Sequence, residues 1–303
     1  MNSSVVDVAE ASDARPAQSL PEYSLQRQRE ARQIENFPIA AWLLRPGRRE
    51  ARAAIYGFCR LVDDLGDENL GDPKALLELA QEELESCYSA KPTHPVFQRL
   101  QPVIKRFQLE PAPFSRLILA NLQDQEVTHY QSWDELEQYC TLSATPVGEL
   151  VLALEGIRDS ERVGFSNSIC TGLQLANMWQ DVAADRARGR RYLPVEVLLE
   201  HGATDEEWWS GTLSPGLLAA ETHAVARARR LLIDGWPLVG RVPGLMRMEM
   251  ATFILCGLAA TAAVLEAGYR VFSEKAALTP ARRRRAVWQA TWAWRQASPP
   301  RSS

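Results

Sequence analysis

Apolar residues recur along this chain at spacings of three and four, the period of an α-helix that buries one face. No series of short alternating β-branched runs joined by Gly-Asn or Asp-Gly turns accompanies them. The pattern predicts a nearly all-helical protein. Proline and glycine interrupt it at "LRPGRRE", "AKPTHP", "SATPVGEL", "GRRYLP", "SGTLSPG", "DGWPLVGRVPG" and "LTPARRRR". These breaks divide the chain into roughly eight to ten helices of ordinary length. The longest apolar run, Phe253 to Leu265, is shorter than the ~18 to 20 residues of a membrane-spanning helix, which predicts a buried core helix. With no fixed-period repeat and no long polar linker, a single domain is expected.

Two segments depart from the simple amphipathic pattern. In "QLANMWQDVAADRARGRRYLP" a continuous helix would place Gln174, Asn177, Asp181 and Asp185 on one narrow stripe. In "IYGFCRLVDDLGDE" the same geometry aligns Tyr56, Arg60, Asp63 and Asp67, with Ile55, Cys59 and Val62 on an adjoining apolar face. Carboxylates four apart on a helix repel. A solvated face would relieve that repulsion with interspersed lysines, yet Val182, Ala183 and Ala184 separate Asp181 from Asp185. Carboxylate and amide oxygens without histidine or cysteine are hard ligands, which favours Mg²⁺. Arg186, Arg188, Arg190 and Arg191 follow the second stripe, so cations and Mg²⁺ together could hold a diphosphate. Pairing of one or two of these arginines with Asp185 or with the helix C-terminus is the plainer alternative. A carboxylate-bridged di-iron bundle needs two ExxH motifs, and only Glu126 and His129 form one.

Composition narrows the field further. The chain has 303 residues, of which 46% are hydrophobic, enough to bury a substantial core. Its net charge of −4 offers no broad basic field for nucleic acid. Five scattered cysteines without CxxC or Cys/His spacing suggest neither a disulfide framework nor a zinc site. No GxxxxGK[ST] or GxGxxG motif is present. The first residues, to about Leu20, lack a basic region followed by an apolar one and are expected to be a disordered leader rather than a secretion signal. A cytoplasmic protein is the expectation.

The two motifs together resemble those of the squalene/phytoene synthase family, all-α isoprenoid synthases in which a single helical domain surrounds a central active-site cavity. The resemblance runs from about Glu35 to Phe272 and rests on two signatures in order. One is "IYGFCRLVDDLGDE", with Asp63, Asp64, Asp67 and Glu68; the other is "QLANMWQDVAADRARGRRYLP", matched without gaps. "ENFPIA" and "YCTLSATPVGEL" are similar to the branch that converts presqualene diphosphate to hydroxysqualene. Thr141 and Glu149 stand where that branch would carry arginines, and "SEKAAL" replaces an Arg-Arg-Pro ending.

The resemblance implies roles residue by residue. Asp63, Asp67, Asn177, Asp181 and Asp185 would ligate Mg²⁺. Tyr56, Arg60 and Tyr139 would act on the reacting groups: the tyrosine rings toward a carbocation, Arg60 toward the departing phosphates together with Arg190 and Tyr192. Phe37, Ala144, Val147, Gly148 and Gln174 would line the substrate site. The expected reaction ionises presqualene diphosphate and captures the rearranged cation with water. Head-to-head condensation of farnesyl or geranylgeranyl diphosphate is the alternative, and a non-catalytic assembly protein of the same fold is an alternative of another class. A monomer or weak dimer is expected.

The C-terminal segment "PARRRRAVWQATWAWRQASPP" sets the last boundary, with residues 21–279 as the synthase domain and 280–303 as a basic, tryptophan-bearing tail. A short helix of that composition is typical of an interfacial membrane element. The alternative packs Trp288, Trp292 and Trp294 onto the bundle. Long hydrocarbon substrates favour a peripheral contact with anionic lipid.

Overall fold

The computed structural model describes residues 20–21, 46–67 and 71–296. Phe37, the rest of "ENFPIA" and Glu68 lie outside the described residues. The expected all-helical architecture is observed: α1 (Pro46–Asp67), α2 (Pro73–Ser89), α3 (Pro95–Phe107), α4 (Pro111–Gln123), α5 (Trp133–Ser143), α6 (Thr145–Leu154), α7 (Ser160–Gln180), α8 (Val182–Ala187), α9 (Val195–Glu200), α10 (Asp205–Ser210), α11 (Pro215–Asp234), α12 (Pro237–Arg241), α13 (Met246–Ala267), a 3₁₀ turn (Gly268–Phe272) and α14 (Pro280–Ala293). There are more helices than the eight to ten expected, because α8, α9, α10 and α12 are only five or six residues long. Such pieces carry too few residues to display a period.

Helix starts follow from local chemistry. Proline occupies the first turn of α2, α3, α4, α11 and α14, where its missing N–H costs nothing. Asp72, Ser132, Asp159, Ser214 and Thr279 each accept a hydrogen bond from a first-turn backbone N–H, as capping side chains do.

The helices form two packed groups with the site between them. Helices α1 to α4 close over a core that includes Phe58, Leu61, Leu65, Phe97 and Phe114. Phe58 meets the rings of Phe97 and Phe114 edge-on at 5.7 and 5.1 Å. In the other group α7 packs against α6, α11 and α13, and α13 carries α14 on its outer side. The run Phe253–Leu265 lies within α13. Together with the 3₁₀ turn this helix is long and apolar enough to cross a membrane by length and composition, and 72% of an apolar 18-residue stretch within it is buried inside the bundle. Helix α6 bridges the groups. A Cβ on Gly148 would press on the side chains of Ser166 and Cys170, so glycine lets α6 lie this close to α7 without displacing them.

Helix α14 is docked on α13 through Ala286, Ala290 and Ala293, which are buried. Trp294 stacks on Arg247 at 4.9 Å, and Trp236 Nε1 donates to Gln296 O at 3.3 Å. Trp288 and Trp292 point outward, 65% and 60% exposed.

Candidate active site

Helices α1 and α7 bring the two aspartate motifs to opposite walls of one polar cavity of about 270 Å³. Asp63 and Asp67 come from the end of α1; Gln174 and Asn177 come from α7 and Asp185 from α8. The second motif is not one continuous helix as expected. α7 ends at Gln180, Asp181 adopts φ −102° and ψ 11°, and α8 begins at Val182. The cause lies in a distant segment. Gln180 O accepts from Ala276 N at 3.2 Å, and Gln180 Nε2 donates to Ala276 O at 2.6 Å, so the strip after the 3₁₀ turn is clipped to the break. Asp181 still faces the cavity.

Of the four arginines after the motif, Arg188 and Arg190 line the cavity. Gly189, with φ 73°, makes the left-handed turn that lets Arg190 N donate back to Asp185 O at 2.9 Å. Arg190 then reaches Asp67, Nη1 to Oδ1 at 3.3 Å, tying α1 to the loop after α8. Arg191 points the other way. It is 2% exposed, paired with Asp205 and stacked on Trp209, so it belongs to the core rather than to the carboxylates. Arg186 packs over Gly211.

Tyr139 is 4% exposed and its hydroxyl donates to Asp124 Oδ2 at 2.7 Å. Its ring stacks on Tyr192 at 6.0 Å and leans on Tyr130 at 5.5 Å. Arg60 pairs with Asp64 at 2.6 Å; Asp64 is 3% exposed, so the middle acid of the first motif is turned into the core and neutralised there. Tyr56, Arg60, Val147 and Gly148 line a second, largely apolar cavity of about 300 Å³ between α1, α6, α7 and α13. Asp63 lines both cavities, so the two adjoin at this residue. Ala144 sits at the junction of α5 and α6 and is outside both linings.

The sequence reading missed three site residues. Asn121 of α4 and Asp124, which caps its C-terminus, line the polar cavity, and Asn121 Nδ2 approaches Asp63 Oδ1 at 3.5 Å. Their spacing of three was a signal, an amide and a carboxylate on one helical face. Lys275, next to the clipped Ala276, pairs with Asp181, Nζ to Oδ1 at 2.6 Å. No local pattern announced it.

Crowding of negative charge marks the cavity. Asp63 is ringed by protein but faces the cavity, and desolvation pushes its carboxyl up to about 7; Asp67 and Asp64 add to the rise, while Asn121 and Arg60 oppose it. Desolvation likewise raises Asp124 to about 6, against the hydrogen bond from Tyr139. It raises Asp185 to about 6, with help from Asp181. Asn177 Oδ1 is buried and accepts no hydrogen bond among the described residues. Neither histidine nor cysteine lines this cavity among the described residues. An all-oxygen donor set with surplus negative charge and an unused amide oxygen fits a hard divalent cation.

A separate cluster of Glu200, His201 and His223 has the residue types of a metal site. His201 Nε2 and His223 Nδ1 lie 2.8 Å apart, a hydrogen-bond length and shorter than the roughly 3.3 Å between two ligands of a tetrahedral zinc with Zn–N of about 2.0 to 2.1 Å.

Residues 31–291 match the squalene/phytoene synthase family. The chain belongs to that family. It is 34% identical over 212 residues to the hydroxysqualene synthase of Rhodopseudomonas palustris, covering 69% of this chain and 71% of that one. It is 32% identical over 217 residues to the phytoene synthase of Arthrospira platensis, covering 64% and 70%. The crystal structure of squalene synthase HpnC from Alicyclobacillus acidocaldarius superimposes with a TM-score of 0.74 at 36% identity, covering 80% of this chain and 94% of that one. This family member is therefore an enzyme of the head-to-head prenyl diphosphate class and resembles the hydroxysqualene synthases.

The departures noted in the sequence have structural counterparts in this family member. Where arginines were expected at Thr141 and Glu149, Arg116 of α4 reaches across: it donates to Thr141 O at 3.1 Å and pairs with Glu149. The "SEKAAL" segment carries the lysine that meets Asp181.

Proposed function

We propose that this enzyme converts presqualene diphosphate to hydroxysqualene with the help of Mg²⁺. The observation that carries the reading is that a carboxylate-rich polar cavity and an apolar one adjoin at Asp63, which lines both. A prenyl diphosphate has those two halves. Asp63, Asp67, Asn177, Asp181 and Asp185 are the residues that would hold Mg²⁺, which when bound supplies Lewis acidity to a diphosphate leaving group. Arg188 and Arg190 add charge-assisted hydrogen bonds to phosphate oxygens. Tyr56, in the lining of the apolar cavity, would offer its ring to a nearby cation. The apolar walls keep water from the cation until its skeleton has rearranged.

Mg²⁺ plus inorganic diphosphate should raise the thermal unfolding temperature, and each alone should do so less. No stabilisation by the pair would count against the assignment. Head-to-head condensation is the second reading, and the phytoene synthase likeness at nearly the same identity favours it.

A peripheral contact with anionic membrane through α14 is part of the same proposal. Arg284, Trp288, Trp292 and Arg295 are exposed and recur at helical spacing along its outer side. That face would deliver an enzyme of lipid-soluble substrates to the bilayer.

A further inference from the structure

The apolar cavity is bordered, far from the aspartates, by a buried ion pair. Arg52 and Glu249 are 7% and 5% exposed, and Arg52 Nη1 donates to Glu249 Oε1. Arg52 Nε and Nη2 and Glu249 Oε2 have no further hydrogen-bond partner among the described residues. Both residues line the cavity that Asp63 also lines. Arg52 and Asp63 stand three turns apart on one face of α1, about 16 Å along the axis at 1.5 Å per residue. One turn beyond, Arg48 pairs with Glu155 at 2.9 Å and donates to Leu154 O, so the polar character continues outward.

A hydrocarbon gains by lying against apolar walls such as Ile55, Ile169 and Met250, but it offers a buried charge nothing. Pressing an apolar terminus onto the pair would strip it of whatever solvent or dipole compensates it. The pair is also firmly placed, since its halves belong to α1 and α13.

We infer that the Arg52–Glu249 pair is a length gauge: it limits the isoprenoid arm that can lie in the apolar cavity while its diphosphate sits at the aspartates. The inference rests on the prenyl diphosphate reading given above. An extended farnesyl arm is about as long as the separation between Asp63 and Arg52. A geranylgeranyl arm, one isoprene unit longer, would run into the pair.

The test measures binding, so it does not depend on which product the enzyme makes. Geranyl, farnesyl and geranylgeranyl S-thiolodiphosphates are titrated calorimetrically into the full-length protein with Mg²⁺. Affinity should rise from geranyl to farnesyl and fall by about tenfold for geranylgeranyl, the scale on which apolar pockets discriminate. The double variant Arg52→Met/Glu249→Met keeps volume and removes both charges, a change that buried pairs often tolerate. It should bring the farnesyl and geranylgeranyl affinities to within about threefold. A steady rise through geranylgeranyl in the unaltered protein would overturn the gauge, as would the same preference in a folded double variant. Absence of binding by all three would instead remove the prenyl diphosphate reading, and the gauge with it.

Discussion

Lys275 Nζ lies 2.6 Å from Asp181 Oδ1 and 2.9 Å from Oδ2, joining the strip after the last core helix to the carboxylates of the site. The lysine partly neutralises a carboxylate that metal binding would also neutralise, so the two compete. Lys275→Met should therefore bind Mg²⁺ roughly two- to fivefold more tightly in the absence of diphosphate, given the ~0 to 1 kcal/mol scale of partly exposed pairs. Calorimetric titration with Mg²⁺ checks this, and weaker binding by the variant would show that Lys275 supports the metal site.

Asp63→Asn and Asp181→Asn each remove a proposed ligand while relieving like-charge repulsion. Turnover should drop by about two to three orders of magnitude, the scale set by loss of one electrostatic group at a reacting centre. Circular dichroism should be unchanged, with the unfolding temperature equal or higher for Asp63→Asn and little changed for Asp181→Asn, which also gives up its pair with Lys275. Near-normal activity of either folded variant would remove its aspartate from the metal set.

Glu221 of α11 is 4% exposed, neither carboxylate oxygen has a hydrogen-bond partner among the described residues, and burial pushes its carboxyl from 4.5 up to about 8. Between those values the folded protein keeps a proton that the unfolded chain has released. Stability therefore falls as pH rises through this window, by at most about 1.4 kcal/mol per unit. Asp63, Asp124 and Asp185 contribute with the same sign, so the comparison with Glu221→Gln isolates one group. The variant should gain stability over the native protein progressively from about pH 5 to pH 8 in urea titrations. A constant difference across that range would contradict the assignment.

Trp288→Ala/Trp292→Ala should weaken co-sedimentation with anionic liposomes several-fold without lowering the unfolding temperature, since both rings are exposed. Rising salt should reduce binding of the unaltered protein as it screens the arginines. Truncation at Thr279 is a poorer probe, because it would strip the Ala286 and Ala290 contacts from α13. Equal binding by the point variant would leave α14 as a packing helix only.

What the sequence disclosed and what it hid follow from the range of the interactions involved. The helical period and the two acidic stripes are local features, and they identified the fold class and the motifs from which Asp63, Asp67, Asp181 and Asp185 come. The break at Asp181 was invisible because it depends on Gln180 meeting Ala276, almost a hundred residues away. Lys275 was hidden for the same reason. Arg191 looked equivalent to Arg190 on the string, and only the contact between Arg191 N and Thr128 O, with Asp205 beyond, turns it inward. Asn121 and Asp124 stood at a readable spacing but lacked a run of acids to draw attention to them.

The most direct test of the proposed function is product analysis with purified enzyme, Mg²⁺ and presqualene diphosphate, without any nicotinamide cofactor. The account predicts hydroxysqualene, with turnover lost on chelation of the metal. Formation of squalene only when NADPH is supplied, with no hydroxysqualene in its absence, would contradict it.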